Sequence, residues 1–223
     1  MSEITAAPVT SLALSKLDWL RRFARPTALA IGPVLMLSGM ALHEEWTGEG
    51  EPDETYIRAV EGNLTQWVTS HFLLTVGVVL MAGGATTIFR LARGRGAVLT
   101  AVGATAVVLG AALMSLSDLL HGILTYVLAG HVDATTSLAI HEAYFWLPAT
   151  AVLNTGSTLL PVGFVVLAVA LMRSRAVPRW AAIVLLLGPV GIMLGFEFHN
   201  LKLILGLPLV VGLAVLARTI ARR

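Results

Sequence analysis

The chain has no cysteine among its 223 residues. That absence removes disulfides, thiolate metal sites and cysteine nucleophiles, and leaves His, carboxylate and backbone groups as the only means of holding a metal. Charge is scarce as well: 13% of the residues are Asp, Glu, Lys or Arg, against 57% apolar, and the mean hydropathy is +0.83. So little polar surface cannot cover a soluble globule of this size, and the composition predicts an integral membrane protein. Two catalytic signatures are also absent. There is no Gly-x-Ser-x-Gly elbow, and neither His-Glu pair extends to His-Glu-x-x-His, so serine-hydrolase and zinc-protease chemistry have no motif to stand on. The sequence pI is near 9.4, but the basic residues lie in separate short loops rather than over one surface, which argues against nucleic acid as a partner.

What the sequence has in quantity is long apolar runs. Residues 1–25 read as a cytoplasmic, interfacial segment in which Leu14 to Arg25 carries apolar residues at helical spacing beside a basic face. Residues 26–223 then read as a transmembrane domain, an all-α bundle of six spans at about 26–42, 67–89, 97–128, 143–172 and a long run 180–217 split in two at Glu197-Phe-His-Asn200. Prolines at 33, 148, 161, 189 and 208 fall inside these runs, where neighbouring helices satisfy the freed carbonyls. An acidic loop over 44–64 opens with six acids between Glu44 and Glu54, and Thr55 to Glu61 reads as a short helix.

Charge sets the expected orientation. Thirteen of the fifteen basic residues lie before the first span, between the second and third, between the fourth and fifth, or after the last. By the positive-inside rule these loops and both termini are cytoplasmic, in a bacterial-type inner membrane. Eleven of the thirteen acids and all six histidines fall on the opposite, outer side.

Chemistry is expected where ionisable groups enter these runs. Ser115-Leu-Ser-Asp-Leu-Leu-His-Gly122 puts Asp118 and His121 three apart, on one helical face with Ser115 a turn earlier. A charged group at membrane depth costs roughly 2.5 kcal/mol or more unless paired, neutral or wet, so this stretch is a functional candidate. Converting position to depth brings His71, Asp118, His121, Asn154 and Glu197 into one pocket in the outer half of the bilayer, with Asp118 about 15 Å below an end at Leu128. His43-Glu-Glu45 and His141-Glu142 form its rim.

Several readings follow. His71, His121, His199, His141, His43 and Glu142 are the ligand types for Zn, Fe or Cu. His71 and His121, on adjacent helices at similar depth, could instead be axial ligands of a haem. Without a metal, Asp118 or Glu197 serves as a general acid towards a lipophilic, isoprenoid-like small molecule. A proton- or cation-coupled carrier, or an accessory subunit of a membrane complex, is the remaining class.

Overall fold

A computed structural model describes residues 9–43, 54–91, 94–194 and 199–222. Among these the chain is all helix: α1 (Val9–Leu42), α2 (Glu54–Gly62), α3 (Leu64–Ala85), α4 (Ala97–His131), α5 (Ala134–Phe145), α6 (Pro148–Ser174), α7 (Arg179–Leu194) and α8 (His199–Ala221). Five of them are long and apolar enough to cross a membrane: α1 from Phe23, α3, α4, α6 and α8 from Leu203. The sixth apolar helix, α7, has 16 residues. At 1.5 Å per residue it reaches about 24 Å, short of the ~30 Å hydrocarbon core.

The long helices follow one another in chain order around a closed ring. α1 packs on α3, α3 on α4, α4 on α6, α6 on α7 and α7 on α8, and α8 returns to α1. Within the ring, glycines draw the helices together as three hairpins. A Cβ built on Gly32 would meet the Gly77 carbonyl and Met81; one on Gly103 would meet the Gly163 carbonyl and Leu167. Gly39 lies on Leu74, Gly110 on Leu160 and Gly188 on Leu209, while Gly77 faces Met36, Gly163 faces Val107 and Gly212 faces Leu185. The same contact scheme thus recurs in α1/α3, α4/α6 and α7/α8, a threefold repeat of one hairpin. Apolar tails give little hydrophobic gain between helices in lipid, so close backbone approach at small residues supplies the van der Waals attraction. The inward layer is apolar, with Val78, Phe164, Leu167, Leu185 and Leu213 fully buried.

Several boundaries differ from expectation. α1 is continuous from Val9 through Pro26 and Pro33 to Leu42, so the basic segment and the first apolar run form one helix. The fourth run does not begin at Ala143. A separate short helix, α5, ends at Phe145, and Pro148 opens α6 at its first turn rather than lying inside it. Proline is suited to that position because its missing N–H has no partner to lose there. Arg173 and Arg175 sit at the α6–α7 turn, Arg179 opens α7 and Arg218 lies in the last turn of α8. This is the basic end of the ring; α2 and α5 cover the other.

Candidate functional site

The α2/α5 end is built around Trp67. A second apolar cluster of Tyr56, Ile57, Val60, Trp67 and Ala129 joins α2 to the tops of α3 and α4. Trp67 is fully buried in it and donates from Nε1 to the Gly122 carbonyl at 3.0 Å. α4 extends past α6 here. Gly103 at Leu167, Gly110 at Leu160 and Gly156 at Met114 set their register, which brings His121 level with the first turn of α6. The last turns of α4 therefore project about 14 Å beyond it and carry α5 on their tip. α5 is held there by Ser137 Oγ, which donates to the Leu128 carbonyl at 3.2 Å, and is capped by Asp133, whose Oδ1 accepts from the Thr136 N–H at 3.0 Å. That N–H holds the Asp133 carboxyl below the usual carboxylate range. Thr135 on α5 donates to Glu54 at the start of α2.

Four imidazoles from four elements meet against the indole. His43 follows the last residue of α1, His71 is on α3, His121 on α4 and His141 on α5. Their ring contacts run as a row: His43 to His71 at 4.8 Å between centroids, His71 to His121 at 5.5 Å, and His121 to His141 at 5.2 Å. Trp67 flanks the first three, at 4.9, 4.2 and 5.5 Å. Three of the four orientations have a local cause. A carbonyl only accepts, so His71 Nδ1 donates to Trp67 O at 3.0 Å, leaving Nε2 as its free nitrogen. The ring sits over Gly122, where a Cβ would meet its Cγ at 2.7 Å. His121 Nε2 and His141 Nε2 are 3.1 Å apart, so one nitrogen carries the hydrogen and the other accepts it. His141 is buried on α5, and burial pushes its pKa below the ordinary imidazole value.

The other expected site residues are placed differently. Asp118 and Ser115 lie one turn and two turns below His121 on α4, and Asp118 Oδ2 and Ser115 Oγ are buried without a hydrogen-bond partner. Asn154 is exposed on α6 and accepts from Ser117 Oγ at 2.8 Å, away from the row. Glu142 is exposed, turned about 100° around α5 from the buried His141. His131 is exposed and bonds its own neighbour Gly130. Glu197, Glu44 and Glu45 lie outside the described residues, as does the side chain of His199, which opens α8.

Metal and haem can be tested against this arrangement. Among the described residues no group of three or more His, Asp or Glu side chains is placed to hold a metal ion; the imidazoles form a row, not a cage. Axial haem ligands face each other across a flat macrocycle. His71 and His121 meet edge to face at 76°, with the Trp67 indole against both, and leave no slot for one.

Sequence reasoning missed Trp67, Tyr56, Tyr144 and Phe145. Trp67 stands one helical turn before His71, and the i, i+4 spacing was its available signal. Phe145 packs on His121 at 5.4 Å and His141 at 4.9 Å.

A family model described as a domain of unknown function, DUF4386, matches residues 27–221. The chain belongs to that family. The match begins within α1 after Arg25 and takes in every member of the imidazole row. No curated protein and no solved structure matches the chain.

Proposed function

We propose that this DUF4386 protein is a multi-pass inner-membrane protein of six spans, α7 included, with both termini and the basic loops cytoplasmic and the α2/α5 end outside. The arginines gathered at the ring's other end support this orientation. At the outer end we place a proton-handling acid–base site that acts on a lipophilic small molecule, with no metal in the step. The observation that carries it is the 3.1 Å contact between His121 Nε2 and His141 Nε2. A pair of neutral imidazoles offers a basic nitrogen that can take a proton from the substrate and pass it along the shared hydrogen bond, and the protonated pair can return it, the successive roles of general base and general acid. His71 and His43 extend the row towards the end of α1, and Asp118 supplies a carboxyl one turn below it. Trp146, 85% exposed beside α5, fits an anchor in the interfacial aromatic belt. A through-membrane path gains no support, because the core towards the basic end is apolar.

A second reading rests on the same nitrogens. His71 is fixed by a bond from Nδ1 to a carbonyl, the way metal-bound imidazoles are oriented, and with modest movement its Nε2 could join those of His121 and His141 around one ion. Elemental analysis and the absorption spectrum of the purified chain separate the readings. The acid–base reading expects well under one Zn, Fe, Cu or Ni per chain and no Soret band. One metal per chain, lost in both His121→Ala and His141→Ala, would replace it with the metal reading.

A further inference from the structure

Six buried side-chain oxygens among the described residues have no hydrogen-bond partner, and five belong to the α2/α5 half: Thr75 Oγ1, Ser115 Oγ, Asp118 Oδ2, Thr125 Oγ1 and Tyr144 OH. Each stands within two helical turns of an imidazole of the row. Thr75 follows His71 by one turn, Asp118 and Ser115 precede His121, Thr125 follows it, and Tyr144 follows His141 by one turn. The sixth, Thr100, is near the basic end of α4. Buried hydroxyls and carboxyls are normally satisfied, and a group of them left open beside one site marks a place where polar atoms from outside the chain are expected. Ser115 is only 8% exposed, so its open valence is not met by bulk water.

The chemistry of these oxygens defines what they fit. Hydroxyls both donate and accept, as a neutral alcohol does. A phosphate or carboxylate head group would need cationic donors. The only described Lys or Arg side chain at this end is Arg58, on α2, which pairs with Glu54 at 3.6 Å. A cationic head group would meet four hydroxyls and a single carboxyl, with imidazoles immediately beyond them.

We infer that the substrate of this site is a neutral, hydroxyl-bearing lipophile whose alcohol group lodges among Ser115, Asp118, Thr75 and Tyr144 just below the imidazole row, its tail in the bilayer. This rests on the acid–base reading for the chemistry that follows, but the binding step stands apart from it. Bound there, the alcohol oxygen lies within two helical turns of His121, on the side of the imidazole pair that would exchange its proton.

The test uses the full chain in lipid nanodiscs with three ligands of one tail: dodecanol, dodecyl phosphate and dodecylamine. Binding is read from Trp67 fluorescence, taken as the difference between wild type and Trp67→Phe. Dodecanol should bind at least tenfold tighter than either charged analogue, and Ser115→Ala and Tyr144→Phe should each weaken it several-fold. The same two variants should melt higher than wild type without ligand, because each removes an oxygen that has no partner. A purely structural hydroxyl would lower the melting temperature instead. Equal binding of all three ligands, preference for the phosphate or the amine, no binding at all, or variants that bind normally would each overturn the inference. The hydrogen shared by His121 and His141 can be followed in the same samples by imidazole NMR. Its persistence when alcohol binding fails would leave the acid–base reading standing, whereas its absence with alcohol binding intact would do the reverse.

Discussion

The two ends of the ring solve different problems with different residues. Towards the basic end and through the middle, helices touch backbone to backbone at glycines and the interior is apolar. At the α2/α5 end the glycine contacts give way to side chains: Gly122 receives not a backbone but the His71 ring, and Trp67 spans the gap to its carbonyl. The difference shows where each task resides. Cohesion comes from residues with almost no side chain, repeated three times, whereas the imidazole row sits where that repeat is broken and polar groups with partly open hydrogen bonding are tolerated.

The sharpest way to break the comparison is to put a side chain into a glycine contact. Gly110→Val would drive its Cβ into the backbone of Leu160, which cannot yield as a side-chain tip can. We expect a loss of more than about 3 kcal/mol and little folded protein on size-exclusion chromatography. Gly83, with nothing within 4 Å of a built Cβ, is the control. Gly83→Ala should keep or slightly raise the melting temperature.

Gly122→Ala should have a smaller effect on stability and a larger one on the site. Its new methyl meets the His71 ring and, at 2.9 Å, the His71 Cβ, so the ring must swing and α3 shift slightly, and we expect a cost of roughly 1–3 kcal/mol together with loss of the His71 to His121 contact. Thermal melts and the His71 imidazole shifts report the two effects separately.

Acidity should then weaken the α2/α5 end more than the ring. Burial lowers the folded-state pKa of His141, so between its ordinary value near 6.5 and the lower folded value the unfolded chain binds a proton that the folded chain does not. Stability from this group is complete above about pH 6.5 and falls as pH drops below it, by at most ~1.4 kcal/mol per pH unit. Melting curves from pH 8 to pH 5 should show that decline, and His141→Gln should flatten it. A decline unchanged in His141→Gln would assign the acid sensitivity to another group.

The smallest expected change is a gain at the basic end. Arg175 ends α6 with φ 51° in the left-handed region, where glycine carries no Cβ penalty. Arg175→Gly should stabilise by about 0.5–1 kcal/mol, measured as a rise in melting temperature, with no effect on the imidazole row.

These contrasts also mark what the sequence could disclose. The all-helical membrane class was legible because apolar run length answers directly to bilayer thickness, and Asp118 and His121 stood out because charge is costly there. The glycine pairs Gly32/Gly39, Gly77/Gly84, Gly103/Gly110 and Gly156/Gly163, each seven apart, were also in view, but their meaning depends on which helix faces which. α5 was hidden because Ala134–Phe145 is nearly uniform in polarity around its circumference and runs almost directly into α6, so its last residues, from Ala143, read as the start of the fourth span and the rest gave no helical signal. His141 consequently looked like rim. It is the partner of His121, brought there by the projection of α4 beyond α6, which no periodicity in a single segment encodes. Asn154 was placed in the pocket by depth and Glu142 on its rim by sequence adjacency alone, and the turn of each helix leaves both exposed.

The central claim is that His121 and His141 share a hydrogen across the α4–α5 contact. Selectively 15N-labelled histidine in the full chain, reconstituted in lipid at pH 7.5, allows the scalar coupling across that hydrogen bond to be measured directly between the two Nε2 nuclei. The account predicts a resolved coupling that disappears in both His121→Gln and His141→Gln and survives in His131→Gln. Two independent Nε2 resonances with no coupling in folded wild-type protein would contradict it.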